Sequence, residues 1–220
     1  MTGDKRRVQF TSMTRRKTPT RRPNNSGPKR KGTGNLRIIG GIYRRRQLPV
    51  PNAPGLRPTP DRVRETLFNW LASATPGARV LDLYAGTGAL GLEALSRGAL
   101  ESLFIENHDA AATQLETNLT RLGARGRVVK ANVDHFLQHE GAPHDLVFLD
   151  PPFRQNLAER TCTLLETHGW LESHAWIYLE TEAEHPPRVP ISWQLHRETR
   201  AGDTIGRLYR REASPSGDAC

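Results

Sequence analysis

The chain has few of the residues that mark secreted, metal-binding or membrane proteins. Only two of its 220 residues are cysteines, Cys162 and Cys220, and they have neither metal-ligand spacing nor the number needed for a disulfide framework. No apolar run approaches the ~18 residues of a membrane-spanning helix, and no signal-peptide core is visible. We therefore expect a soluble protein of a reducing compartment, the cytoplasm, with no membrane partner.

The signatures of metal and nucleophilic catalysis are also missing. His135 and His139 are four residues apart on a predicted helix, but no Glu accompanies them as in a zinc-protease helix. The other six histidines are scattered, and the chain has neither a G-x-S-x-G elbow nor a P-loop. We predict that all eight histidines are surface or loop residues and that no metal is bound.

Acidic residues are almost absent from the first 34 positions. Residues 1–34 hold 11 of the 32 Lys and Arg but one acid, Asp4, whereas the remaining residues hold 21 bases and 22 acids. The net charge of +9 therefore belongs to this segment. It has too few apolar side chains to offset its ordering entropy, so we predict a disordered basic tail that binds phosphates. A purely solubilising tail and an organellar transit peptide are the alternatives.

A basic hairpin and a Pro-rich connector are predicted for residues 35–60. Leu36 to Val50 forms two short strands around a two-residue turn at Gly40-Gly41, and four arginines make it basic: Arg37, Arg44, Arg45 and Arg46. Thr59 is the predicted N-cap of the next helix, with Pro60 at its first position. The predicted buried face of that helix is formed by Val63, Leu67, Trp70 and Leu71. The residue pattern by itself predicts a solvated opposite face, formed by Asp61, Arg62, Arg64 and Glu65.

Strands and helices alternate from Arg79 onward. Strands are predicted at 79–84, 101–106, 126–131, 145–149 and 175–180, and helices at 89–97, 109–122, 133–140 and 155–168. Helical crossovers make the sheet parallel and doubly wound. Two further strands, 193–199 and 204–211, form a terminal antiparallel hairpin. The pattern predicts an α/β, Rossmann-like methyltransferase fold over residues 61–212, followed by a frayed terminus at 213–220.

The stretch RVLDLYAGTGALG, residues 79–91, joins a buried strand to a helix through a glycine turn. Backbone N–H groups converge on a ligand at such a turn. The spacing of Gly86, Gly88 and Gly91, with Glu106 twenty residues after Gly86, matches a nicotinamide dinucleotide site. Asp82, just before the turn, favours a cationic ligand instead. S-adenosylmethionine carries a sulfonium and an amino group, so a methyltransferase is the preferred interpretation and a dehydrogenase the alternative.

A second motif follows another buried strand. Asp150-Pro151-Pro152-Phe153 lies at the carboxyl end of residues 145–149, at the same sheet edge as the glycine turn. Asp150 and a proline carbonyl can accept hydrogen bonds from an exocyclic amine, which turns the nitrogen lone pair toward a methyl donor. The ring of Phe153 can stack on the base, which is worth about 1–3 kcal/mol. The motif therefore predicts methylation of an amino group on a planar base.

Five stretches resemble the RsmD family of bacterial small-subunit rRNA guanine-N2 methyltransferases: LRIIGGIYRRRQLPVP, GLRPTPDRVRETLFNWL, VLDLYAGTGALGLEALSRGA, HDLVFLDPPF and WQLHRETRAGDTIGRLYRRE. The resemblance covers about Leu36 to Glu212. It implies methylation of 16S rRNA, free or in a small-subunit assembly intermediate, by a monomeric enzyme that uses S-adenosylmethionine. Tyr84 stands where many methyltransferases have a glycine, although this family accepts an aromatic there, and the basic tail lies outside the resemblance.

The resemblance also implies roles for individual residues. The cofactor would contact Asp82, Tyr84, Ala85, Gly86, Gly88, Glu106, Asn107, Asn132, Val133 and Asp150. The guanine amine would be received by the catalytic residues Asp150, Pro151, Pro152 and Phe153. The RNA and the site entrance would involve Arg37, Arg44, Arg45, Arg46, Arg57, Asp61, Arg62, Arg64, Glu65 and Phe153. A DNA amino-methyltransferase and a non-catalytic ribosome-assembly factor remain alternatives.

Overall fold

A computed structural model describes residues 1–2, 34–51, 59–153, 155, 157–184 and 186–212. Residues 3–33 of the predicted tail, residues 52–58 of the connector with Arg57, and the terminus after Glu212 lie outside the described residues. The part from Gly34 to Glu212 belongs to one compact unit. None of the helices in the described ranges is long and apolar enough to cross a membrane.

The chain forms nine strands and five helices over its described part. The strands are β1 (Gly34–Arg37), β2 (Gln47–Val50), β3 (Arg79–Leu83), β4 (Glu101–Glu106), β5 (Gly126–Lys130), β6 (His144–Leu149), β7 (Leu171–Glu182), β8 (Trp193–Ala201) and β9 (Thr204–Arg211). The helices are α1 (Asp61–Trp70), α2 (Ala89–Ser96), α3 (Asp109–Leu122), α4 (Val133–Leu137) and α5 (Leu157–Thr167).

A seven-stranded sheet in the order β5-β4-β3-β6-β7-β9-β8 is the centre of the fold. The first five of these strands are parallel, and β9 pairs antiparallel with both β7 and β8. The apolar run of β3 is buried because parallel strands are covered on both faces. Helices α1, α2 and α3 supply the core on one face, and α4 and α5 supply it on the other. The predicted parallel sheet with a terminal antiparallel hairpin is confirmed.

The N-terminal hairpin exists, but its predicted turn is wrong. Strands β1 and β2 pair in register from Gly34 with Val50 to Arg37 with Gln47, so residues 38–46 form a long connection in place of a two-residue turn at Gly40-Gly41. The N–H groups of Ile39 and Gly40 instead donate to the Glu93 carboxylate of α2, each at 2.8 Å. Tertiary contact with α2, absent from any local pattern, determines this loop.

Three smaller predictions are corrected as well. Pro60, not Thr59, is the N-cap of α1, and no side chain caps it. Within α1, Phe68 is fully buried, whereas Trp70 is only partly covered. His144 is buried at the start of β6, where burial lowers the pKa of its ring, so not every histidine lies at the surface.

Arg64 requires a further correction, since it does not lie on the solvated face of α1. Its side chain is 1% exposed. The guanidinium donates to the carbonyl oxygens of Thr59 and Arg37 and to the Asp61 carboxylate. It also lies 3.5 Å from the buried carboxylate of Glu93. A buried guanidinium with these partners does not line an entrance; it joins α1 and the hairpin to α2.

Candidate active site

A cavity of about 930 Å³ opens at the carboxyl ends of the parallel strands. Ligands of open α/β sheets bind at this edge, where strand order reverses. The reversal here lies at β3, because β4 and β5 follow it on one side of the sheet whereas β6 and β7 lie on the other side. Nearly all of the predicted cofactor and catalytic residues line it: Asp82, Tyr84, Ala85, Gly86, Glu106, Asn107, Asn132, Val133, Asp150, Pro151, Pro152 and Phe153.

The glycine turn is shaped by left-handed backbone at Tyr84, Gly86 and Gly88, with φ of 58°, 54° and 73°. Tyr84 is a non-glycine residue in this region, and its hydroxyl lies 2.8 Å from Thr161 Oγ1 on α5. Gly88 is the N-cap of α2 and is not among the residues that line the cavity. The left-handed φ of Gly88 favours glycine, and a Cβ there would also press on the end of the Leu115 side chain.

Glu106 holds the turn in place from the end of β4. One carboxylate oxygen accepts the N–H of Gly86 and the other accepts the N–H of His108, both at 2.6 Å. Each oxygen retains a lone pair for a further donor, as a pair of ribose hydroxyls would supply. Asn132 caps α4, where its side-chain oxygen accepts the N–H of His135 at 3.1 Å. Its amide nitrogen is therefore the part of the side chain that can face a ligand.

Asp82 is buried beneath the turn. Its carboxylate accepts the N–H of Gly91 at 2.8 Å. Burial, together with the nearby charges of Asp150 and Glu106, raises the pKa of Asp82 well above its usual value. A buried acid of this kind is stabilised by a cationic ligand.

Four neighbouring strands each deliver one acid to the cavity: Glu106 from β4, Asp82 from β3, Asp150 after β6 and Glu180 from β7. Of the described residues that line the cavity, none is Lys or Arg. Burial, and then the charge of Glu180, raises the pKa of Asp150 to about 7. Perturbed acids gathered in one cleft are typical of an active site, and the local excess of negative charge favours a cation.

Phe153 lies at the mouth of the cavity with 45% of its side chain exposed. An apolar ring left in solvent at this position is available to stack on a planar ligand. The prolines before it differ in exposure, since Pro151 is buried and Pro152 is exposed. The structure thus brings together the four residues of the predicted amine-binding motif.

Apart from Phe153, the described residues that were predicted to bind RNA do not line the cavity. Arg37, Arg44, Arg45 and Arg46 are exposed on the hairpin, and Arg37 pairs with Asp61 at 2.6 Å. Arg62 and Glu65 are exposed on α1.

Sequence reasoning did not select several residues that line the cavity, namely Thr59, Pro60, Thr87, Ala89, Leu90, His108, Gln155, Leu157, Glu180 and Thr204. Glu180 was detectable as an acid near the carboxyl end of a predicted parallel strand.

The fold and this acid-lined cavity define a Rossmann-like methyltransferase. A family model described as Conserved hypothetical protein 95 matches residues 36–210, and on this match the chain belongs to the RsmD family. The prediction of a methyltransferase in place of a dehydrogenase is confirmed, whereas the part that the glycine turn plays in binding the cofactor stays a prediction.

Known proteins similar to the chain agree with this placement. Ribosomal RNA small subunit methyltransferase D of Escherichia coli strain K12 is 55% identical over 194 residues, which cover 87% of this chain and 98% of that protein. The protein of the same name in Haemophilus influenzae is 45% identical over 182 residues, which cover 80% of this chain and 94% of that protein. The solved structure of the putative methyltransferase yhhF from Escherichia coli has a TM-score of 0.78 at 55% identity, with 82% of this chain and 100% of that one covered.

Proposed function

We propose that the protein methylates the exocyclic N2 amine of a guanine in small-subunit rRNA, with S-adenosylmethionine as methyl donor. The observation that carries the proposal is the Asp150–Phe153 motif at the edge of an acid-lined cavity. The names of the relatives in Escherichia coli and Haemophilus influenzae support rRNA as the substrate class. The choice of guanine N2 rests on the chemistry of the motif and on the family resemblance.

The cavity residues fit S-adenosylmethionine by charge and by hydrogen bonding. Asp82 and the turn from Ala85 to Gly86 would hold the methionine end, Glu106 the ribose hydroxyls, and Asn132 with Val133 the adenine. When bound, this cofactor supplies an electrophilic methyl group on a sulfonium. A cationic group near Asp82 lowers the cost of ionising that buried carboxyl.

Asp150 would act on the amine. Its carboxylate accepts an N–H of the guanine N2, which orients the nitrogen lone pair toward the methyl carbon. The cofactor would supply the methyl carbon of the new N–C bond and would keep the electron pair of its carbon–sulfur bond. The nitrogen then loses one proton, which Asp150 can accept. A pKa of about 7 suits a proton acceptor at neutral pH.

Phe153 would hold the base by stacking. Guanine N2 is buried in a helical stack, so the target must be unpaired or flipped into the cavity. The exposed arginines of the hairpin would contact phosphates, which position the RNA without reading its sequence.

Methyl transfer by an Asp150 variant tests the proposal. We expect Asp150→Asn to lower transfer of labelled methyl to unmodified small-subunit rRNA by about 10²–10⁴-fold, the usual contribution of a positioned proton acceptor. S-adenosylmethionine binding, measured by calorimetry, should persist. Asp109→Asn is the control, because Asp109 is 74% exposed in a surface ion pair with Lys130.

The product separates the remaining alternatives. Nucleoside mass spectrometry should find the label in N2-methylguanosine. Label in DNA would favour the DNA amino-methyltransferase, and the absence of any transfer would favour the non-catalytic assembly factor. Near-normal turnover of Asp150→Asn would remove Asp150 from the mechanism.

A further inference from the structure

Glu180 is an acid in the cavity to which the proposed function gives no role. Leu149, the last residue of β6, pairs with Leu179 of β7, and each of them is followed in the chain by an acid, Asp150 and Glu180. Adjacent strands are about 4.8 Å apart, so the register brings the two side chains next to each other on one face. Both residues line the cavity.

The Glu180 carboxylate is held in a defined place. Tyr178, two residues earlier on β7, donates its hydroxyl to Glu180 Oε2 at 3.2 Å. Thr204 of β9 lies near this carboxylate, and its hydroxyl donates to the carbonyl oxygen of Ala201 at 3.0 Å. Space for the Tyr178 ring comes from Gly206, where a Cβ would lie 2.1 Å from the phenol oxygen. Glu180 therefore has a prepared position at the cavity wall.

The order of the strands divides the four acids into two pairs. Glu106 and Asp82 come from β4 and β3 and belong to the part of the cavity assigned to the cofactor. Asp150 and Glu180 come from β6 and β7, on the side of the cavity that holds the DPPF motif. The second pair presents two adjacent carboxylates to whatever base enters.

Two adjacent carboxylates need two adjacent hydrogen-bond donors or a shared proton. Guanine presents two neighbouring donors on its Watson–Crick edge, N1–H and the N2 amine. Adenine and cytosine instead place an unprotonated ring nitrogen beside their amine. The acid pair is thus complementary to guanine. With adenine or cytosine, one of the two carboxylates would have no donor and would face the lone pair of the ring nitrogen.

We propose that Glu180 reads guanine by accepting its N1–H while Asp150 accepts the N2 amine. This inference rests on the proposed function, because it assigns the base chosen by the same site. Glu180 is then the residue that determines specificity for guanine, and Asp150 the residue that acts on the reacting nitrogen.

An RNA with 2-aminopurine at the target position tests this assignment. That base keeps the N2 amine but has no proton on N1. We expect the wild-type kcat/KM to be about 10–100-fold lower for 2-aminopurine than for guanine, the usual cost of leaving a charged partner unsatisfied. In Glu180→Gln the side-chain amide can present either its oxygen or its NH₂, so the ratio should fall toward one.

Three variants of β7 separate base reading from structural support. Tyr178→Phe removes a hydrogen bond to Glu180 but keeps the carboxylate, and should preserve the guanine preference. Glu172→Gln makes the same chemical change at the opposite end of the strand and should match wild type. Glu180→Asp replaces Glu180→Gln in the test if the Gln variant fails to fold. It retains the negative charge and should therefore retain part of the preference for guanine over 2-aminopurine.

Two results would overturn the inference. One is a wild-type enzyme that methylates guanine and 2-aminopurine equally well. The other is a folded Glu180→Gln variant that loses activity on both bases by the same factor, which would show a structural role. A wild-type enzyme inactive on the guanine RNA would instead contradict the proposed function itself.

Discussion

At the scale of single residues, the stacking proposed for Phe153 can be tested separately from methyl transfer. Its ring is 45% exposed, so substitutions there should change the melting temperature little. Stacking is worth about 1–3 kcal/mol, so we expect Phe153→Leu to lower kcat/KM for RNA by about 5- to 150-fold. Phe153→Tyr and Phe153→Trp should keep substantial activity. Equal activity of the Leu and Tyr variants, in a methyl-transfer assay, would show that shape and not stacking matters.

Asp150 also affects the dependence of stability on pH. The groups that face it include Glu180, Asp82 and Tyr178, and burial with the Glu180 charge raises its pKa from 3.8 to about 7. Between these two pKa values, the folded protein therefore keeps a proton on Asp150 that the unfolded chain has released. The stability contributed by that proton is lost as the pH rises from the lower value to the higher one.

Replacing Asp150 by Asn removes this loss. We expect the melting temperature of Asp150→Asn, relative to wild type, to increase steadily from about pH 4 to about pH 7 and then to level off. Thermal unfolding at several pH values without cofactor measures the difference. A difference that is constant with pH would mean that Asp150 titrates in the folded protein as it does in the unfolded chain.

At the scale of secondary-structure elements, a buried ion-pair cluster joins the hairpin to the methyltransferase sheet. Glu93 on α2 is 0% exposed and contacts Arg64 and Arg97 at 3.5 and 2.8 Å. It also accepts the N–H groups of Ile39 and Gly40. The position of the basic hairpin therefore depends on one carboxylate of another element.

We expect Glu93→Gln to lower the free energy of unfolding by about 3–5 kcal/mol, because it removes the fully buried carboxylate that Arg64 and Arg97 share and leaves Arg64 only the partly exposed Asp61 as a charged partner. Glu101→Gln makes the same change in an exposed pair with Arg79 and should cost less than about 1 kcal/mol. Denaturant unfolding of both variants measures the contrast. Equal losses would show that the cluster contributes no more than a surface ion pair.

At the scale of the whole molecule, the charge is divided between the tail and the rest of the chain. Residues 1–33 carry the +10 charge predicted for the tail, and Gly34 already belongs to β1. Deleting residues 1–33 should leave the melting temperature and cofactor affinity nearly unchanged. RNA affinity should fall, and the slope of log K against log salt should flatten by about 0.7 for each single-strand phosphate that the tail neutralises in the full-length protein.

Selectivity for the target guanine should survive this deletion, since phosphate contacts position RNA without reading it. The hairpin arginines remain, so binding should weaken without disappearing. RNA titrations at several salt concentrations measure the slope. An unchanged slope would favour a solubilising segment, or an address removed before the enzyme acts.

Much of the fold follows from local sequence. Buried runs such as Val80–Leu83 and the amphipathic pattern of Asp109–Leu122 predict strand and helix because period and burial are local properties. Element ends are less accurate: β7 is longer and α4 shorter than expected, since pairing and packing with neighbours decide where an element stops. The glycine turn and Asp150–Phe153 are also local, and the parallel sheet brings both to one edge.

Other features depend on interactions between residues far apart in the sequence. Neither the burial of Arg64 nor the loop of residues 38–46 is visible in a local pattern, because both depend on contacts between the hairpin, α1 and Glu93 of α2. Glu180 becomes a partner of Asp150 only when β6 and β7 pair in register. The sequence by itself determined the class of fold, the two motifs and the division of charge. The tertiary structure decided which charges are buried together, because burial and the pairing of distant strands are properties of the assembled sheet.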